Sequence, residues 1–370
     1  MAKNANGIEL TWRGNQAGVL TAAKLELVES FDPVSPGLVA DRSWRNMLVH
    51  GENGAVMQAL TERLGSRIDL IYADPPLITG GDYRLRNGSG KGILAYRDGR
   101  GLDEYLQMLY ERLLLMHRLL AETGSLYLHV DWRVGHHAKL LLDEVFGKRG
   151  FRNTIVWHHG GRGAKAISGR FPRNYDMLFY YGKTPAAHFH RPYGTIRIPI
   201  GEARRRGLRK DEQGRWFKTA PRGDYTDASV RRLEAEGRVH HTTSGQIRIK
   251  YFLEEHAGNL LDRKALGDVW TDIPDMMHAA AEERTGYPTQ KPVALLERII
   301  EASSDEGGLV ADFFCGAGTS LVAAERLGRK WIGCDAGEPA IETSSRRLQA
   351  AQRRSFDLYR ATTSAIEGGA

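Results

Sequence analysis

Short apolar runs alternate with longer amphipathic stretches over two separate parts of the chain. RIDLIYADPP (67–76) reads as a strand buried on both faces that ends in a rigid turn. Residues 102–121 repeat apolar positions at helical spacing, Leu106, Leu109, Leu113 and Leu120 among them, and close at Thr123-Gly124. GSLYLHVDW (124–132) is predicted as a second buried strand, 136–146 as a helix ended by Gly147, and FRNTIVWHH and YDMLFYYGK (175–183) as two more strands. Between Lys183 and Gly267 the alternation fades into charged sequence with turn dipeptides and short β-like pieces such as GQIRIKYFL. It returns as a helix over 293–303, the strand GLVADFF, a glycine-rich turn, a helix over 320–327, the strand RKWIGCD and a last helix over 341–354. Strands alternating with helices predict an α/β fold on a mixed, mainly parallel sheet, and an irregular stretch of that length within it predicts an inserted subdomain. The polar tail is expected to be frayed.

Charge changes this picture in one place. The 370 residues carry 52 Lys or Arg against 45 Asp or Glu, a net +7. Residues 161–267 alone hold 22 Lys or Arg against 11 Asp or Glu, a local +11 that leaves −4 for everything else. Concentrated basicity is the footprint of a surface that meets a polyanion, and the cluster Arg204, Arg205, Arg206, Arg209 and Lys210 is its densest point. Two cysteines, Cys315 and Cys334, cannot form a disulfide framework or a four-ligand zinc site unaided. The pairs His136-His137, His158-His159 and His240-His241 are read as strand neighbours facing opposite sides, so no metal is expected. MAKNANGIELTWRG has no apolar signal core, and no run approaches the ~18 apolar residues that span a bilayer, so no membrane partner is expected.

Two short segments carry chemistry. In DFFCGAGT (Asp312 to Thr319), between a strand and a helix, Gly316 and Gly318 allow a tight turn and close approach of a ligand, and the helix that follows offers free N–H groups. The next strand ends in Asp335, where a carboxylate can hold ribose hydroxyls, so the pair of features points to a nucleoside cofactor. In ADPPL (Ala73 to Leu77), consecutive prolines remove two N–H donors and leave carbonyls as free acceptors beside the Asp74 carboxylate. An acid and an aligned carbonyl suit an exocyclic amine. Asp69 and Asp131 are read as caps or turn residues.

The order and content of these strings resemble the beta-class amino DNA methyltransferases, which include the Mod subunits of type III restriction systems. The resemblance runs from Asn46 to Leu348 through NMLVHGENGAVMQAL, IDLIYADPP, GSLYLHVDW, LLLDEVFG, DVWTDIP, YPTQKPVALLERII and DFFCGAGTSLVAAERLGRKWIGCD. It implies a circularly permuted class I methyltransferase fold, Rossmann-like, in which the catalytic half precedes the S-adenosylmethionine half. The implied divisions are an N-terminal extension (1–45), a catalytic half (46–160), a basic target-recognition insert (161–267), a cofactor half (268–354) and a tail (355–370). Asp312, Phe314, Cys315, Gly316, Gly318 and Thr319 would surround the cofactor, Asp335 would take its ribose, and Thr289, Gln290 and Lys291 would close over its methionine end. Asp74, Pro75, Pro76 and Leu77 match the catalytic motif, and Asp in first position resembles the adenine-N6 members.

The resemblance implies DNA as substrate, extruded base by base, a homodimer or a restriction subunit as partner, and the prokaryotic cytoplasm or nucleoid as location. Leu77 departs from the family pattern, which has an aromatic there that stacks on the extruded base. Tyr83 or Tyr96 could supply a ring instead. The alternatives left open are a cytosine-N4 or RNA amino methyltransferase, and a catalytically weak nucleic-acid-binding subunit.

Overall fold

The computed structural model describes residues 18, 20–33, 44–85, 93–97, 99, 101–159, 169, 171–351 and 354–363. The chain divides into two compact units, Met1–His190 with Gly267–Ala370, and Arg191–Leu266.

The larger unit is laid on one sheet. Its ten described strands run in the order β1 (Lys24–Phe31), β19 (Phe356–Thr362), β2 (Asn46–His50), β18 (Lys330–Asp335), β17 (Leu309–Asp312), β3 (Ile68–Ala73), β6 (Leu120–Val130), β8 (Tyr175–Gly182), β7 (Phe151–His158) and β16 (Val269–Trp270). From β19 to β6 every neighbour pair is parallel, whereas β8 runs antiparallel to both β6 and β7. Strands buried on both faces need cover on both, which is why IDLIYA and LVAD read as apolar runs. Helices α1 (Asn53–Leu64), α2 (Leu102–Leu119) and α3 (Gly135–Phe146) supply one apolar layer, packing Leu60, Leu109 and Leu142 with Ile71 and Leu128. On the opposite face α5 (Val293–Ser303), α6 (Thr319–Arg326) and α7 (Glu338–Ala351) set Ile299, Leu321 and Leu348 against Leu70 and Val310. A small antiparallel hairpin, β4 (Asp82–Leu85) and β5 (Ile93–Arg97), also belongs to this unit.

Three expectations are corrected. The tail is not frayed over 356–362: β19 inserts between β1 and β2, and Phe356, 1% exposed, stacks on Phe31 at 4.5 Å. The outer edge of that strand is paired because a distant segment, 24–31, runs along it. The helix predicted over 102–121 stops at Leu119, and Thr123-Gly124 lies inside β6 because a register slip against β3 absorbs the turn. His136 and His137 sit on α3 and not on a strand, since the apolar spacing of Ala138, Leu141 and Leu142 there is helical.

The smaller unit holds two antiparallel sheets of its own. One orders β10 (Arg209–Lys210), β11 (Trp216–Pro221), β13 (Ile247–Phe252) and β12 (Val239–His241), and the other orders β14 (Glu254–His256), β15 (Asn259–Ala265) and β9 (Tyr193–Pro199). Helix α4 (Asp227–Ala235), capped by the Thr226 hydroxyl, sets Val230 and Leu233 against Val239 and Ile249. A second cluster gathers Ile198, Leu208, Trp216 and Leu260.

Candidate active site

Three carboxylates stand at the carboxyl ends of three adjacent parallel strands: Asp74 just after β3, Asp312 closing β17 and Asp335 closing β18. In an open parallel sheet this edge is where ligands bind. All three line one cavity of about 380 Å3, a size suited to a small-molecule ligand. Pro75, Pro76 and Leu77 form its wall beside Asp74, Phe314, Cys315, Gly316 and Thr319 its wall beside Asp335, and Thr289, Gln290 and Lys291 also line it.

The glycine turn is built for close packing. Gly316 and Gly318 have φ of 49° and 70°, values that disfavour any side chain. A Cβ on Gly318 would also lie 2.7 Å from the Ser344 hydroxyl. Gly318 does not itself reach the cavity: it caps α6 and so directs the turn. The Asp335 carboxylate accepts hydrogen bonds from the N–H groups of Gly316 (2.9 Å) and Gly337 (2.8 Å). Each oxygen keeps a further lone pair for a ligand hydroxyl. Burial lifts the Asp335 pKa above the ordinary carboxylate range even though those N–H groups oppose the rise.

Asp312 is buried, and burial pushes its carboxyl up to about 7 against the hydrogen bonds from Ser320 Oγ (2.5 Å) and the Phe314 N–H (2.9 Å). Cys315 is a buried packing residue whose thiol burial holds well above the usual range, which removes it as a nucleophile. Thr319 turns its hydroxyl to Arg347, which donates at 3.0 Å.

At the other end, Lys291 donates to Asp74 Oδ2 at 2.5 Å. Burial works against the ammonium, yet the Asp74 and Asp176 carboxylates hold the Lys291 pKa above its ordinary value. Lys291 therefore belongs to the acceptor carboxylate. Gln290 is a loop brace, accepting from the N–H and hydroxyl of Thr285 and donating to the Glu283 carbonyl at 2.7 Å. Thr289 takes an unusual positive φ of 60° and lies 3.2 Å from the Tyr96 hydroxyl.

Sequence reading missed Glu52, Asn53, Tyr72, Arg112 and Tyr287, all of which line the cavity. Arg112 left a signal, a charged residue on the buried stripe of α2 between Leu109 and Leu113. It donates to Glu52 at 2.6 Å and to Asn53 at 3.1 Å, and Asn53 donates in turn to the Phe313 carbonyl at 3.0 Å. Glu52, Asn53 and Arg112 thus tie α1 and α2 to the strand that carries Asp312. The basic cluster Arg204, Arg205, Arg206, Arg209 and Lys210 lies in the other unit, exposed throughout. Asp131 is a turn residue, accepting from the Arg133 N–H at 2.8 Å, and Asp69 bridges strands by accepting from the Leu309 N–H at 2.8 Å. Among the described residues no group of His, Cys, Asp or Glu is placed to hold a metal ion.

The donor set fits S-adenosylmethionine. A backbone-braced carboxylate suits a ribose diol, the Phe314 and Tyr287 rings suit an adenine, and the glycine turn that a Cβ would obstruct leaves room for the chain between them. With six parallel strands flanked on each side by a reversed strand, and this edge occupied by such a turn, the chain is a class I S-adenosylmethionine-dependent methyltransferase. Residues 68–346 match the family described as DNA methylase, and the chain belongs to it. It is 29% identical over 329 residues to the type II methyltransferase M.EcaI of Enterobacter cloacae, covering 82% of this chain and 69% of that one. The StyLTI Mod subunit of a type III restriction-modification enzyme of Salmonella typhimurium is 24% identical over 78% of this chain, which spans 51% of the Mod subunit's length. The DNA adenine methyltransferase YhdJ of Escherichia coli is 26% identical, with 84% of this chain and 85% of that one covered.

Proposed function

We propose that the chain transfers the methyl group of S-adenosylmethionine to the N6 amino group of adenine at a specific sequence in DNA. The observation that carries this reading is the single cavity that runs from Asp335 to Asp74, joining a nucleoside-holding carboxylate to an acceptor for an amine. S-adenosylmethionine, when bound, supplies an electrophilic methyl on a sulfonium. Asp312, Phe314, Cys315, Gly316, Gly318 and Thr319 shape its site, Asp335 takes the ribose, and the Thr289-Gln290-Lys291 loop closes the far end. Asp74 and the Pro75 carbonyl accept the N–H groups of the target amine and so direct its lone pair, a contribution of positioning and electrostatics. The Lys291 ammonium keeps Asp74 in place for that role.

The amine of a stacked base is out of reach, so the adenine is extruded from the duplex. The insert between 161 and 267, which contains the compact unit Arg191–Leu266, serves target recognition, and its arginines meet phosphates. Likeness to YhdJ, named as an adenine methyltransferase, supports adenine as acceptor, and likeness to a Mod subunit supports a role in restriction-modification beside a restriction partner.

The test is incubation of the chain with labelled S-adenosylmethionine and genomic DNA, followed by nucleoside analysis. N6-methyladenine is the expected product, N4-methylcytosine would reassign the acceptor, and label in neither would overturn the reading. Asp74→Ala should abolish transfer while the affinity for S-adenosylmethionine in calorimetry stays within threefold of the parent.

A further inference from the structure

Tyr72 lines the cavity two residues ahead of Asp74, and its buried hydroxyl lies 2.8 Å from His129 Nδ1. His129, 1% exposed, places Nε2 3.2 Å from Asp176 Oδ2. These residues come from β3, β6 and β8, and the mechanism above uses none of them. We propose that Tyr72, backed by His129 and Asp176, takes up the proton that methylation releases from the target amine. This rests on the methyl-transfer reading.

The direction of the chain follows from which end can only accept. Burial opposes the Asp176 charge, but the hydrogen bond from His129 overcomes it and the carboxyl is held down at about 2, so Asp176 stays an acceptor. In the neutral imidazole Nε2 then carries the hydrogen, and Nδ1 is left with a bare lone pair. Tyr72 must donate its O–H to that lone pair, which leaves the lone pairs of its oxygen for the cavity. Burial, together with the charges of Asp74, Asp312 and Asp176, keeps the Tyr72 phenol well above its ordinary pKa. It remains neutral, so it can pass a proton on only by giving up its own.

The balance is then complete. As the nitrogen–carbon bond forms and the sulfur–carbon bond of S-adenosylmethionine breaks, sulfur keeps the electron pair and the amine nitrogen gains a positive charge. One of its protons moves to Tyr72 Oη while the Tyr72 proton moves to His129 Nδ1, and the imidazolium so formed is held by the Asp176 carboxylate. His129 is enclosed by Tyr72 from β3, Asp176 from β8 and the Trp157 ring of β7, edge-on at 5.8 Å. The charges bearing on Asp176 are His129, Lys291 and His159. His159 Nε2 lies 3.8 Å from Asp176 Oδ1 with its side chain 22% exposed, so a second imidazole backs the carboxylate on its other oxygen. Tyr72 is thus a catalytic residue, and His129 and Asp176 are positioning residues.

The experiment compares the full-length parent with Tyr72→Phe, His129→Gln and Asp176→Asn in single turnovers on methylatable DNA. Tyr72→Phe should slow transfer about a hundredfold or more, the scale of a lost proton-transfer group, with KM for DNA and cofactor within threefold. His129→Gln should slow transfer likewise, again with KM for DNA and cofactor within threefold. Independently of activity, 15N-imidazole NMR of the cofactor-free parent should show His129 bare at Nδ1 and protonated at Nε2, and Asp176→Asn should mix the tautomers. Full activity of Tyr72→Phe, or a hydrogen on His129 Nδ1 in the parent, overturns the relay alone. A parent inert toward every DNA overturns the methyl-transfer reading and the relay with it.

Discussion

Burial governs Asp312 more than its hydrogen bonds do. Its carboxyl rises to about 7, so between pH 4 and 7 the native chain holds a proton that the unfolded chain has released. Stability from this group is present below the unfolded carboxylate pKa and is lost as pH rises through 7. Asp312→Asn keeps an acceptor for the Phe314 N–H and reverses the Ser320 contact, its Nδ2 donating to the Ser320 hydroxyl oxygen, without a charge to bury. The variant's thermal midpoint should therefore exceed the parent's at pH 8 and converge on it near pH 4, as calorimetry across that range would register. A constant difference at all pH values would remove the raised carboxyl as its cause. Asp74, Asp312 and Asp335 were legible in the sequence because each ends an apolar run beside proline or glycine, a local mark. Tyr72, His129 and Asp176 carry no such mark, since their meeting depends on strand order, which no spacing encodes.

The β4–β5 hairpin explains how a chain with Leu77 can still present an aromatic surface. Tyr83 and Tyr96, paired across the two strands, stack at 4.7 Å with 12° between their planes. Tyr83 donates to Thr79 at 3.1 Å and the Tyr96 hydroxyl lies 3.2 Å from that of Thr289, so the stacked pair bridges the segment after Leu77 to the loop of Lys291. Both rings line the cavity with Leu77. Base stacking is worth about 1–3 kcal/mol by alanine substitution, so Tyr83→Ala should weaken binding of duplexes with an unpaired target adenine about fivefold to 150-fold. Leu77→Tyr should change the methylation rate by less than threefold. A tenfold gain from Leu77→Tyr, measured in the same assay, would mean that the hairpin does not hold the base. The hairpin itself escaped sequence reading because DYRL and ILAYR are short and their pairing crosses an intervening segment. The long strands and helices of the large sheet were legible, because two-sided burial and helical spacing both leave periodic signals. β1 and β19 were missed for the opposite reason: each is only partly buried, and they pair across more than 300 residues, as in Lys24 with Thr362.

Charge divides between the two units in a way that composition alone does not reveal. Arg191–Leu266 carries 17 Lys or Arg against 10 Asp or Glu, a net +7 equal to that of the whole chain, so the larger unit is neutral overall. That excess was legible from the sequence. The boundary was not, because 175–182 pairs into the large sheet and only the residues after it fold apart. Within the basic unit, Glu202 pairs with Arg206 at 2.9 Å and lies 3.6 Å from Arg205, exposed contacts of the kind worth little beside a phosphate. Arg204, Arg205 and Arg206 are all exposed and none supports the cores around Trp216 or Ile249, so replacing them by alanine should leave the unit folded. Each phosphate contact contributes about −0.9 to the slope of log affinity against log salt. The triple alanine variant should therefore bind duplex DNA with a slope shallower by about two to three, read by fluorescence anisotropy at several salt concentrations. Its affinity at low salt should fall for cognate and unrelated duplexes alike, because phosphate contacts position without reading sequence. A slope that does not move would make these arginines a solvated face and leave DNA contact to other residues of the insert.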